Sequence, residues 1–208
     1  MIFIKWKILI VTCFVCLLPI LLGLALWDSL PDTMAIHFDI NNNPDNFASK
    51  GFAVFGMPVL MVVIQCICCF GTDVNSKNMV SPVKFEMVTK WVIPVITVIL
   101  QTTLLCYGLG KQIDIRAVAA FIVGGMLLVI GNYLPKLDYI KNYKIEAEKA
   151  RKINRFLGFE TVIMGALFII SIFLPPPFTA GCIFLMIPYG IIGAVYGVYI
   201  SKKKGAGK

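Results

Sequence analysis

The sequence holds one histidine, His37, and few charges: Lys, Arg, Asp and Glu make up 14% of its 208 residues. A single imidazole excludes a multi-histidine metal centre. Soluble domains carry about 25% charged residues, so the charge content argues against a soluble chain. The seven cysteines (Cys13, Cys16, Cys66, Cys68, Cys69, Cys106 and Cys182) are odd in number, which excludes a complete disulfide framework. No nucleophile motif, phosphate loop or metal-ligand cluster occurs, so no enzyme activity, cofactor or metal is expected. Alternating short segments are missing, which argues against a transmembrane β-barrel. No internal repeat is found.

What is present is apolar: 59% of residues are hydrophobic. Six runs reach the roughly 20 residues that a helix needs to cross a bilayer. They lie at about 8–27, 52–70, 91–110, 117–134, 156–174 and 178–200. Lipid cannot satisfy backbone N–H and C=O groups, so helix is the expected form. The expected fold is therefore an all-α integral membrane protein, with residues 1–208 as a single polytopic domain. The first apolar run, Ile8 to Leu26, exceeds the roughly 7–15 residues of a signal-peptide core, so it is expected to remain as an uncleaved helix.

Sixteen of the nineteen Lys and Arg residues fall in alternate segments: the N-terminal tail, the second and fourth connections and the C-terminal tail. The positive-inside rule then puts both termini in the cytoplasm and the loop between helices 1 and 2 outside the cell membrane. The net charge of +8 suits an anionic inner leaflet, so membrane lipid is an expected partner and direct nucleic-acid binding is not.

Polar residues inside the spans narrow the choices. Glu160 is the only acid within an expected span. It could meet Arg155 or Lys152 as an interfacial ion pair, or serve transport or gating. Pro19, Pro58, Pro94 and Pro188 each bend a helix and free a carbonyl. The Cys66-Ile67-Cys68-Cys69 cluster reads as small apolar packing residues, with palmitoylation or a soft metal as the alternatives. Gly193 and Gly197 form a GxxxG step suited to close helix contact.

Two connections carry most of the remaining information. Residues 135–155 contain Lys144, Lys149, Arg151 and Lys152. A short basic surface helix over 144–155 is expected there, either as an anchored connector or as a docking face for a cytoplasmic partner. The other connection, residues 30–51, reads LPDTMAIHFDINNNPDNFASKG and holds His37. With Asp28 just before it, it holds four of the eleven acids: Asp28, Asp32, Asp39 and Asp45. Leu30-Pro31 should stop the first helix, and Asn41 to Asp45 is turn chemistry. Met34, Ile36, Phe38 and Ile40 alternate with Ala35, His37, Asp39 and Asn41, the pattern of a short extended segment. Its apolar face can lie on the membrane surface with His37 and Asp39 on the wet side. His37 either caps the turn through Asp45 or a carbonyl, or meets a ligand.

The residues Leu30, Pro31, His37, Phe38, Pro44, Asp45, Ser49 and Lys50, with Gly131-Asn132-Tyr133-Leu134-Pro135-Lys136, resemble two signatures of the SdpI-like family of bacterial membrane proteins. That family includes the immunity protein of the sporulation-delay toxin. Ala35 stands where the family prefers proline, and YIKNYKIEAEKARK replaces the segment that follows the second signature in the immunity branch. The resemblance implies six helices in the bacterial plasma membrane. It also implies an immunity or sensor protein that binds an extracellular antimicrobial peptide toxin and signals to a cytoplasmic repressor. In that reading His37, Asp39, Asp45 and Lys50 meet the toxin, and Lys144, Lys149, Arg151 and Lys152 dock the cytoplasmic partner. The alternative is a transporter or permease of small solutes or peptides, which would depend on Glu160. A third reading makes His37 a general base oriented by Asp39 or Asp45.

Overall fold

A computed structural model describes residues 5–75, 79–80, 83–139 and 147–202. The elements in chain order are α1 (Trp6–Ala25), β1 (Thr33–Phe38), β2 (Pro44–Ser49), α2 (Met57–Asn75), β3 (Met79–Val80), α3 (Val83–Gly108), α4 (Ile115–Tyr133), β4 (Asp138–Tyr139), α5 (Ala147–Ser171) and α6 (Pro176–Lys202). Among the described residues six helices are long and apolar enough to cross a membrane, and the chain is a multi-pass membrane protein. Outward-facing residues such as Ile10, Phe14, Leu21, Ile67, Phe173, Phe184 and Val195 are large and apolar, as lipid contact requires.

The chain forms two compact units, Met1–Ser76 with Val83–Ala119, and Lys77–Pro82 with Ala120–Lys208. In the first, α1, α2 and α3 pack pairwise and carry the antiparallel β1–β2 hairpin at one end. In the second, α5 packs on α6 and on the turn that follows α4, and β3 pairs with β4.

Several boundaries differ from expectation. The first helix ends at Ala25, before Leu30-Pro31, and tightens into a 3-10 turn over Trp27–Ser29. Pro31 disfavours helical geometry at the residue before it, and Leu30 is extended at φ −85°, ψ 141°. The surface helix expected over 144–155 is instead the first turns of α5, which runs unbroken from Ala147. No proline interrupts that stretch, and its residues are good helix formers. Helices α2 and α3 extend to Asn75 and back to Val83, so Asp73, Glu86 and Lys90 lie inside helices rather than in a loop.

Two of the four intramembrane prolines receive a side-chain remedy. Pro94 has no N–H to give to the carbonyl four residues earlier, that of Lys90. Gln65 Nε2, from α2, donates to that carbonyl at 2.9 Å and to Thr12 Oγ1, on α1, at 2.8 Å. Before α2, Phe52–Gly56 forms a π-type turn in which Met57 N–H bonds the Phe52 carbonyl. The next bond in that pattern would run from residue 58 to Ala53, and residue 58 is proline. Gln101 Nε2, from α3, fills the gap at 2.6 Å. Each helix of the α2–α3 pair thus supplies the donor that the other's proline removes.

In the second unit, close approach rests on glycines. An added Cβ at Gly158 would sit 2.7 Å from the Pro135 ring and 2.8 Å from the Gly131 carbonyl. Gly124 and Gly165 face each other as tightly. These pairs are spaced seven residues apart along α4 and α5. Of the expected GxxxG step, Gly193 packs on Leu157 inside the unit, while Gly197 has only a loose neighbour.

Detergent unfolding experiments test both the proline remedy and the glycine contacts. Gln65→Leu should cost about 1–3 kcal/mol by leaving buried acceptors without a donor. In a Pro94→Ala background, where residue 94 bonds the Lys90 carbonyl itself, the loss should shrink by about 0.5–3 kcal/mol; an additive cycle would refute the pairing. Gly158→Ala should destabilise by about 1–3 kcal/mol through overpacking. Gly125→Ala, with open space at its Cβ, should be neutral or gain up to about 1 kcal/mol of helix propensity.

Candidate functional site

The hairpin is mounted on the first unit by a buried apolar cluster. Leu30 and Met34 pack with Ala53, Val54, Leu104 and Leu105, and Ile36 and Phe38 adjoin them. Phe38 meets Tyr107 edge-on with ring centroids 4.7 Å apart. The apolar face of β1 therefore seats on the ends of α2 and α3 rather than on the membrane surface. Met34 is 1% exposed, so three packed helix ends give it more contact than a lipid headgroup layer would. The expected alternation also breaks, because Ala35 is buried beside Met34.

The tip is built by Asp39. Its Oδ1 accepts the backbone N–H groups of Asn41 at 2.9 Å and Asn43 at 2.7 Å, and its Oδ2 accepts the Asn43 side-chain amide at 3.1 Å. Asn42 adopts φ +67°, a left-handed conformation that asparagine tolerates. Its side chain donates to the Ile113 carbonyl at 3.0 Å and accepts the Ile115 N–H at 2.8 Å. It thereby satisfies an amide at the start of α4 that has no partner within the helix.

Lys50 is committed elsewhere. Its Nζ donates to the carbonyls of Trp27 (3.2 Å) and Leu30 (3.1 Å), sits 5.1 Å from the Trp27 ring centre and approaches Asp32 at 3.2 Å. A cation there meets the exposed carbonyls where α1 ends. Asp39 and Lys50 thus hold the hairpin together rather than offering themselves to a ligand.

His37 and Asp45 remain outward. The hairpin register skips Ile36 on β1 and Asp45 on β2, so a bulge flanks the pair on each strand. His37 Nδ1 lies 2.5 Å from Asp45 Oδ1, with side chains 66% and 46% exposed. The carboxylate orients the ring and leaves Nε2 toward solvent. Asp28 and Asp32 are also exposed, as are Phe47 and Phe52. Among the described residues no group of three or more His, Cys, Asp or Glu side chains is arranged to hold a metal. The surface can therefore bind cations and apolar groups together, and the His37–Asp45 pair can orient a proton donor or acceptor.

Sequence reasoning misses a second polar centre, at the opposite end of α1. Asp73 Oδ1 meets Lys90 Nζ at 2.5 Å with both side chains 1% exposed. Asp73 Oδ2 accepts the Lys5 backbone N–H at the start of α1 at 3.2 Å, and Lys5 Nζ meets Glu86 Oε2 at 2.5 Å. Lys90 and Asp73 sit where averaged hydropathy falls, so they read as loop residues. Cys13 and Cys66 bring their sulfurs to 3.8 Å across α1 and α2, and all seven cysteines are free.

On α5, Lys149 is half-buried, and Arg151 and Lys152 are exposed. Lys152 pairs with Glu148 at 2.8 Å. Lys144 lies outside the described residues. Glu160 pairs with neither Arg155 nor Lys152: its Oε2 is buried with no hydrogen-bond partner among the described residues. Asn154, which the sequence does not flag, is buried and donates to the Leu137 carbonyl at 2.8 Å, tying α5 to the turn after α4.

Residues 14–62 match a family model described as Domain of unknown function (DUF1648). The match runs from α1 through the hairpin into the first turns of α2. No curated protein and no solved structure gives a match.

The bonds from Asn43, backbone N–H first, hold the Asp39 carboxyl below the ordinary aspartate range. A carboxyl lowered by folding adds stability that is present above its unfolded value and is lost as pH falls through its folded value. Amide exchange at Asn41 and Asn43, relative to the intrinsic rate, should therefore be slow at neutral pH and accelerate below the ordinary aspartate range. Asp39→Asn should weaken that protection at neutral pH and remove the acid step. An acid step that survives Asp39→Asn would reject this origin.

Proposed function

We propose that the chain is a bacterial plasma-membrane sensor or immunity protein of the SdpI-like kind, which binds a cationic antimicrobial peptide through the hairpin. SdpI-like proteins carry the domain matched at residues 14–62, and that stretch builds the hairpin and part of its seat. One observation carries the reading. After the residues that hold the hairpin are set aside, His37, Asp45, Asp28 and Asp32 stay exposed on a rigidly seated platform, beside exposed Phe47 and Phe52. Acids attract a cationic peptide from a distance, and aromatic side chains supply contact area at low entropic cost.

With both termini in the cytoplasm, the hairpin faces the outside and the basic start of α5 faces the inside. Lys149, Arg151 and Lys152, with Lys144 nearby in sequence, then suit anionic lipid headgroups or a cytoplasmic repressor. Signalling between the two faces requires the helices to have two arrangements that the toxin biases.

The test is protection of a susceptible Gram-positive host, challenged with antimicrobial peptides from the source strain. His37→Ala and Asp45→Ala, at equal membrane levels, should lower the protective dose about tenfold, the equivalent of about 1.4 kcal/mol of binding. Lys50→Ala should instead lower the amount of folded protein, and Glu160→Gln should retain protection. Undiminished protection by His37→Ala and Asp45→Ala together would refute recognition by this pair.

A transporter is the second reading. Buried Thr12, Gln65, Asp73, Lys90, Thr97 and Gln101 run through the first unit, so polar side chains do come from all three of its helices. Solute flux in proteoliposomes that is abolished by Lys90→Met, with no protection by the wild type, would favour it.

A further inference from the structure

Glu160 stands in the middle of α5, one and a half turns beyond Arg155. One carboxylate oxygen, Oε2, is closed off from solvent and has no hydrogen-bond donor among the described residues. Across the seam lies Gly193 of α6, where an added Cβ would stand 3.5 Å from that oxygen. The nearby hydroxyls are spoken for: Tyr189 Oη donates toward Thr161 Oγ1 at 3.1 Å or the Leu157 carbonyl at 3.4 Å, and Thr161 donates to the same carbonyl at 2.7 Å.

No charge faces it. The only charged residue of α6 is Lys202, its last, and α4 carries none between Ala120 and Tyr133. On α5 itself, Lys152 is bonded to Glu148 and Arg155 is exposed. An ionised carboxylate without a partner inside a membrane span costs several kcal/mol. Something must neutralise it. A metal cation needs several oxygen ligands, and among the described residues no group of three or more His, Cys, Asp or Glu side chains is arranged to hold one.

We propose that half-buried Glu160 is a proton-binding site at the α5–α6 seam, held as the neutral acid while its Oε2 is closed off beside Gly193. The bound proton is the ligand, taken from or returned to water when the seam opens. The packing of α5 on α6 is therefore linked to proton binding. This inference is independent of the hairpin and of what the hairpin binds.

Infrared difference spectroscopy of the full chain in lipid nanodiscs at neutral pH tests it. Ten of the eleven acids serve as internal background, because subtracting the E160Q spectrum isolates Glu160. The expected result is a carboxylic-acid C=O band in the wild type that is missing in E160Q and displaced in E160D. It should shift in heavy water as the acid proton exchanges for deuterium. E160Q is isosteric and uncharged and should fold; if it does not, E160D, which keeps the acid, supplies the same difference through its displaced band. A symmetric and antisymmetric carboxylate pair in place of the acid band would overturn the proposal, since Glu160 would then be ionised at rest.

Discussion

A carbonyl freed by proline inside a membrane helix has no water to bond, and the first unit is organised around giving it a donor. Pro94 on α3 is served by Gln65 on α2, and Pro58 on α2 is served by Gln101 on α3. The exchange is reciprocal, so it fixes both the axial and the rotational position of one helix against the other. Gln65 also reaches Thr12, which brings α1 into the same arrangement. The π-type turn over Phe52–Gly56 then places Ala53 and Val54 directly beneath Leu30 and Met34. The seat of the hairpin is therefore set by the hydrogen bonds lower in the bundle.

The hairpin divides its polar residues between holding and presenting. Asp39 orders the tip, Asn42 ties the tip to the start of α4, and Lys50 closes the end of α1. Each spends its bonding capacity on backbone groups that would otherwise be left open. Among the described residues, the His37 and Asp45 side chains bond each other, at two adjacent bulges that turn them outward. A ligand can compete for an exposed pair of this kind without dismantling the hairpin. It could not recruit Asp39 or Lys50 at the same cost.

Length and hydropathy make the six spans legible in sequence, because lipid imposes both on every crossing helix. The extended segment over 34–40 is legible from its period of two, but not what its apolar face covers. That depends on where α2 and α3 end, which is a tertiary fact. Asp73 and Lys90 are illegible for a related reason. Charges depress averaged hydropathy, so a span appears to stop where they begin, and only their mutual contact allows them to lie inside it. His37 and Asp45 are legible as a pair, whereas the commitment of Asp39 and Lys50 is not, because their partners are carbonyls and amides that every residue carries. The glycine pairs of α4 and α5 escape notice because they recur at seven residues, on facing helices, rather than at four on one.

The two units solve the problem of charge among apolar helices in opposite ways. Asp73 answers Lys90 and the start of α1 together, so its charge is matched whether or not water reaches it. Removing either partner would strand the other, at a cost of about 3–5 kcal/mol. Glu160 Oε2 has no such partner among the described residues, so in the proposal its charge depends on a proton rather than on a side chain. The Asp73–Lys90 pair joins α2 to α3 and to the start of α1, which makes it a structural element. An unmatched acid against a glycine changes state as soon as its surroundings do. Among the described acids within the helices, Glu160 is therefore the one whose chemistry can follow a movement of the chain.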